Sequence, residues 1–450
     1  MTSKTLPAPP SSTNGRLADA TSVLTFFLVL QLWVPSQLTI GAIGGSGSPA
    51  QLLSLACLVW WLAERVRQPA QFLTPTGPTT RFLLLFVGAV LASFVVAATR
   101  PISDDELRSS QQGLLGVAGW LGVYLVTADG ISTPDRLEAL LGRFARITGA
   151  IAVLAIIQFV TRQSWVDKVE IPGLTSIHPL GLVSTRGGLN RPAGTSVHPI
   201  EFGVLLTMAL PLALHLALFG RSRSRFARFY PAVTISMVIP ISISRSTLLG
   251  AALVLLVLLP TWPRVWRRVC YMLLAVGGGF LYVLSPGVVN TLTGLFVGIS
   301  KDSSTLSRTD SYDLALQFVA VWPVFGRGFL TFLPEYRILD NQYLGLLIDT
   351  GFVGLGSFLA VVLSAMVVCL RVRRRLVDAR SRHLTQACLA SVCAGALGFA
   401  FFDAMSFPMT VASLFFVLGC TAALHRLTRD TPHGAVGVQT SVVLATEAHT

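Results

Sequence analysis

Residues 199–219 read PIEFGVLLTMALPLALHLALF, an almost unbroken apolar run. A helix needs about 20 such residues to cross the hydrocarbon core of a bilayer. Eleven further stretches of this kind occur, at roughly 21–42, 49–66, 81–99, 111–128, 145–162, 229–245, 247–261, 268–286, 344–370, 385–404 and 409–425. The pair 229–245 and 247–261 is short, and only Arg245 and its neighbours separate the two. The pattern predicts an all-α fold: a polytopic membrane bundle of about twelve helices in a single domain over 21–428.

Composition agrees. Of 450 residues, 52% are apolar and only 12% are charged, against roughly 25% charged in soluble domains. So apolar a chain is not disordered. Six cysteines are too sparse for a disulfide scaffold. Cys57, Cys270, Cys369, Cys388, Cys393 and Cys420 lie in or beside the apolar runs, form no CxxC pair, and read as small apolar helix residues. The net charge of +13 invites a nucleic-acid partner. So few charges among so many apolar runs argue against one. Residues 1–20 are polar, with Pro7, Pro9 and Pro10, and read as a short disordered tail without a cleavable signal; 429–450 look similar.

The surplus of basic residues sorts by side. Connections at 65–81, 136–146, 221–228, 264–268 and 371–382, with both termini, carry 23 of the 34 basic residues and 8 of the 21 acidic ones. Lys and Arg collect on the cytoplasmic side of membrane proteins, so both termini are expected there. The Arg runs in 221–228 and 371–382 serve as topology signals and anionic-lipid contacts.

Two long connections, about 163–198 and 287–343, fall on the opposite, outer side. Long loops are usually functional or disordered. The first holds Trp165, Ile171, Pro172, Leu174, Ile177 and Leu180, too apolar for disorder. In the second, Arg308 to Val321 has Tyr312, Leu316 and Val319 at helical spacing, with Asp310 and Asp313 on another face. It reads as an interfacial helix on the outer leaflet.

Three polar blocks stand at this outer side. RPAGTSVHPIEFG at 191–203 contains Arg191, His198 and Glu201 just before an apolar run. It is either a polar start to a helix, with Pro199 in the first turn, or an anion-binding entrance. Arg245 lies in Ser244-Arg245-Ser246 between two apolar runs. A cation there either snorkels to the interface or grips an anion, since guanidinium is shaped to hold phosphate through two parallel bonds. The third block holds Gly326-Arg327-Gly328, Asp340-Asn341-Gln342-Tyr343-Leu344, Asp349 and Gly351-Phe352-Val353-Gly354-Leu355. Asp340 and Asn341 either cap the following helix or contribute to a site. Asp349, within that helix, either pairs with an arginine or belongs to the site. Asp104-Asp105-Glu106 is the sort of acidic run that holds a metal in some membrane glycosyltransferases. Ser103 three residues before Glu106 favours a capping box instead.

In their order, these three blocks resemble the O-antigen ligase and O-antigen polymerase family of bacterial membrane glycosyltransferases, over about residues 185–360. The resemblance implies an all-helical enzyme. It would take a glycan from an undecaprenyl diphosphate carrier at the outer face of the cytoplasmic membrane, without metal or cofactor. By position Arg191 and Arg245 match two arginines that grip the diphosphate, and Asp340, ahead of Asn341, stands where the ligases have a catalytic His. Arg308 or Arg327 would help bind the substrate. Asp340 is the first choice of base, and Glu201 or His198 the second. The implied partners are the lipid-linked oligosaccharide, the bilayer, and a flippase or chain-length regulator of the same pathway. Within this reading the chain polymerises the glycan or, as a ligase, moves it to a different acceptor. A secondary transporter or flippase should show paired halves with interrupted helices, and no half-to-half similarity is visible. A scaffold subunit with a dead site is a further alternative.

Overall fold

The computed structural model describes residues 19–41, 47–67, 77–176, 185–186, 188–221, 224–297 and 303–429. Both terminal tails, and Ile177 and Leu180 of the first long loop, lie outside these residues. Each of the twelve apolar stretches contains a helix. They form α1 (Ala20–Trp33), α2 (Pro49–Arg67), α3 (Pro78–Ala98), α4 (Asp104–Gly130), α5 (Pro134–Thr161), α6 (Pro199–Phe219), α7 (Arg225–Ile241), α8 (Arg245–Leu258) and α9 (Arg264–Leu284). After α10 (Pro286–Val297) and α11 (Ser303–Val321), in the second long loop, come α12 (Gln342–Arg375), α13 (Ala379–Gly398) and α14 (Pro408–Arg429).

The expected count of twelve spans is not met. Among the described residues, six helices, α3, α4, α5, α6, α12 and α14, are long and apolar enough to cross a membrane. A seventh is added if α9 and α10, bent by 111° across their break, form one span. The others fall short for physical reasons. The helices α1 and α8 have only 14 residues, and α7 has 17. Glu64, Arg65 and Arg67 charge the end of α2, and Arg380 and Arg382 charge the start of α13. The fold remains an all-helical, multi-pass membrane bundle.

Contacts sort the helix ends into two sets. Asp19–Arg136, Arg65–Asp129, Arg221–Asp135 and Glu138–Arg380 ion pairs join the ends of α1, α2, α4, α5, α6 and α13 at what we term the basic end. At the opposite, loop end, Gln31 of α1 donates to Pro408 O at 2.8 Å. There the backbone N of Gln342 in α12 donates to Phe399 O beyond α13, also at 2.8 Å. Helix α6 runs through the interior between α5, α7, α8, α13 and α14. It is apolar on every side, as a fully surrounded helix must be, and every residue from Phe202 to Ala213 is buried. Leu84, Leu85 and Val95 of α3 and Leu363 and Val367 of α12 point outward, an apolar surface suited to lipid.

The first long loop is stapled rather than loose. Strand β1 (Leu38–Thr39) pairs antiparallel with β2 (Thr175–Ser176), and β3 (Thr185–Arg186) with β4 (Leu189–Asn190). In the second, α11 exists as expected, but its inner stripe differs from the predicted one. Ser311, Ala315 and Val319 face inward, whereas Tyr312 and Leu316 are exposed. The stripe packs with Leu339, Leu344 and Ile348 in a small second core. Small residues choose this face because they let α11 approach α12 closely.

Candidate functional site

The segment before α6 is bolted to three helices. Gln158 of α5 holds Gly194 from both sides, its amide donating to Gly194 O and accepting from Gly194 N, each at 2.9 Å. Gly194 adopts φ +62°, and a side chain there would press on Ile151 and Phe202. The hydroxyl of Thr195 donates to Leu32 O of α1 at 2.5 Å. These anchors fix Arg191, which is buried and donates from Nε to Ser242 O at 3.1 Å. Ser242 opens the tight reversal between α7 and α8, where Ile243 takes a positive φ of 47°. Arg245, half-buried, begins α8 three residues after Ser242. Arg191 thus reaches, from far away in sequence, the turn that leads into Arg245.

His198 caps α6. Its Nδ1 accepts the backbone N–H of Ile200 at 3.2 Å, which leaves the proton of the neutral ring on Nε2. Burial, and then the charge of Arg191, push its pKa down to about 4. His198 is therefore neutral at neutral pH, with its N–H at Nε2. Glu201 is wholly buried, and its two carboxylate oxygens accept from Val197 N at 3.1 Å and Met409 N at 2.7 Å. It ties α6 to α14 and is occupied in doing so.

The start of α12 adds the carboxylates. Asn341 acts as the helix cap, its Oδ1 accepting from Tyr343 N at 3.0 Å and more loosely from Leu344 N. The side chain of Gln342 accepts from Met405 N at 2.7 Å, clamping the α13–α14 connection beside Asp340. That connection carries Asp403, which lies close enough to Asp340 to feel its charge. Burial chiefly, with Asp340 adding to it, raises the Asp403 pKa to about 6. Nearby, the Phe407 ring sits 6.2 Å from that of His198. Sequence reasoning missed Asp403 by absorbing it into an apolar run ending at 404. The rule that marks Arg245, a charge in an apolar stretch, marks it equally.

Arg327 is committed elsewhere. It forms a buried ion pair with Glu106 of α4, which also accepts from Tyr336 Oη at 2.8 Å and pairs with Arg100 at 3.2 Å. The Arg327 guanidinium lies 5.0 Å from the rings of both Phe318 and Tyr336. Ser103 does cap α4, its Oγ accepting from Glu106 N at 3.2 Å, while the Glu106 carboxylate is taken up by Arg327, Tyr336 and Arg100. Asp349 accepts from Leu330 N and Phe332 N at 3.1 Å each and so pins the loop after Arg327 to α12. Arg308 lies on α11, and its side chain falls outside the described residues. The structure thus brings together Arg191, the Arg245 turn and His198, with Asp340 and Asp403 on the adjoining loop. It draws Glu201, Arg327, Asn341 and Asp349 into structural bonds.

Residues 230–359 match the family model described as O-antigen ligase. The match runs from within α7 into α12, and so includes Arg245, Arg327 and Asp340. Arg191 and His198 precede it. No curated protein matches the chain.

Proposed function

We propose that this member of the O-antigen ligase/polymerase family is an integral membrane glycosyltransferase acting on oligosaccharide carried by undecaprenyl diphosphate, at the outer face of the cytoplasmic membrane. The main support is the meeting of Arg191 with the turn that begins at Ser242 and leads into Arg245. In the proposed reaction an acceptor hydroxyl attacks the anomeric carbon, the bond from that carbon to the diphosphate oxygen breaks, and negative charge develops on the leaving lipid diphosphate. Arg191 and Arg245 neutralise it in a water-poor setting, where fixed cations act most strongly. Asp340 takes the hydroxyl proton. His198, with its proton on Nε2, donates a hydrogen bond to a phosphate or sugar oxygen. The chemistry asks for no metal, so activity should survive chelation.

Polymerase and ligase differ only in the acceptor. The description of the matched family favours the ligase variant; Asp340 at the histidine position favours the polymerase. Arg191→Ala and Arg245→Ala should each lower glycan transfer by about 10²-fold or more, with normal protein levels in the membrane. Lipid-linked oligosaccharide should then accumulate, as single units for a polymerase and as long carrier-bound chains for a ligase. Full activity in both variants would end the diphosphate reading.

A further inference from the structure

At the basic end, far from the arginine turn, three buried side chains and the half-buried Glu138 form a directed hydrogen-bond chain. Trp262, in the α8–α9 connection, donates from Nε1 to Nε2 of His383 at 2.9 Å. Indole N–H can only donate, so the proton of neutral His383 is on Nδ1. His383 Nδ1 lies 3.0 Å from Nδ1 of His215 on α6, which must accept. His215 therefore carries its proton on Nε2 and donates it to Glu138 Oε1 of α5 at 3.2 Å. Arg380 closes the far side of Glu138 with bonds of 2.5 to 2.9 Å. His215 and His383 are stacked, with ring centroids 5.2 Å apart, and Phe219 covers both. Both histidines and Trp262 are buried.

Every donor and acceptor in this chain is used once, and only when both imidazoles are neutral. A proton added to His383 sets an N–H on Nε2 against the Trp262 N–H. The charged groups facing the pair do not relieve this. Glu138 is already matched by Arg380, and Arg373 of α12 adds a positive charge near His383. No other charged group from α6, α8 or α13 is shown against the pair among the described residues. The bond most easily surrendered is the one to Trp262. It anchors the start of α9, whose residues Tyr271, Met272, Leu273 and Leu274 are exposed and which leads to α10 and α11.

We propose that His383, held between Trp262 and His215, is a pH-sensitive latch that holds the basic end of α9 to the bundle while its ring is neutral and releases it on proton uptake. The sign is fixed by geometry: the latched state excludes the extra proton, so the hold is complete at higher pH and weakens progressively as the pH falls below about 6.5, the ordinary histidine value.

Hydrogen exchange of the full chain in lipid nanodiscs, corrected for intrinsic rate, tests this. Between about pH 7.5 and about pH 5, exchange over residues 259–270 should rise roughly tenfold, while the first turns of α12 stay unchanged. In His383→Gln, which can accept from Trp262 and donate to His215 but cannot gain a proton, this rise should vanish. Absence of the rise in the wild-type chain, or an equal rise in His383→Gln, overturns the latch. Should His383→Gln be unprotected already at neutral pH, Trp262→Phe decides. It keeps the ring but lacks the donor. It should show the acid level of exchange at neutral pH, and retention of wild-type protection would refute the proposal.

Discussion

His198 and Glu201 lie three residues apart and do opposite work. A histidine whose Nδ1 caps its own helix offers one outward donor, so the role is preserved by any side chain with an N–H at that reach. We expect His198→Gln to retain most transfer activity and His198→Phe to lose about tenfold, measured as glycan transferred per unit of membrane protein. Glu201→Gln should instead lower stability by about 1–3 kcal/mol, seen as loss of folded protein in detergent, because the Gln amide N–H would face one of the two backbone N–H donors, of Val197 and Met409, that the carboxyl oxygens accept. Asp340→Asn should cut turnover about 10²-fold or more if it is the base; unchanged turnover would place the base elsewhere. Asp403 permits a signed pH prediction. Its folded pKa of about 6 exceeds the usual value of about 3.9, so the folded state binds the proton more tightly. The cost of its charge is full above about pH 6 and relieved as the pH falls. Asp403→Asn should therefore stabilise the protein at neutral pH, on the order of 1–2 kcal/mol after solvent screening. The gain should shrink as the pH falls below about 6 and vanish near about pH 3, where both states of the wild-type residue are protonated.

At the scale of elements, α12 is the one that departs from a plain apolar run. Gly351 has φ 64° and ψ −166°, which breaks the helix. The N–H groups freed by the break donate to Pro323 O and Val324 O, from Phe352 at 2.8 Å and Val353 at 3.2 Å. A side chain at Gly351 would overlap Val324 O, and one at Gly326 would overlap the backbone of Asp349. The glycines of this block therefore build a seat for the loop that carries Arg327, which accounts for their spacing without a ligand. Gly351→Ala combines strain with overlap at backbone atoms, and should cost about 3 kcal/mol or more in thermal unfolding. Glu106→Gln should cost about 3–5 kcal/mol, because Arg327 would be left buried without its counter-charge. Helices are legible in this sequence because each is an apolar run of its own. Their capacity to span is less so, since end charges and turns such as Ser242–Ser244 shorten them. The inner stripe of α11 is obscured because its buried side uses Ser311 and Ala315, which no hydrophobic periodicity marks. The Arg327–Glu106 pair and the approach of Asp340 to Asp403 join residues distant in sequence, and neither local spacing nor composition reveals them.

For the whole molecule, the sorted charge and the helix ends make one statement. The connections richest in arginine all lie at the end where Arg65, Arg136, Arg221 and Arg380 are paired, and the Arg191–Arg245 group lies at the other. A sequence read alone supplies the charge sorting, because positive residues settle on the cytoplasmic side during insertion. It leaves open which outer residues assemble, because that depends on how α6, α8 and α12 pack. In the proposed reading the two together turn the arginine group outward, where a lipid-linked glycan already moved across the membrane would meet it. Single cysteines test this directly. Val169, 44% exposed in the first long loop, and Val377, 92% exposed between α12 and α13, stand at opposite ends. In intact cells with a permeable outer barrier, a membrane-impermeant maleimide should label Val169→Cys and not Val377→Cys, above the wild-type background from the native thiols. After lysis both should react. The reverse pattern would turn the arginine group toward the cytoplasm, and glycan transfer on the outer face could not then be its work.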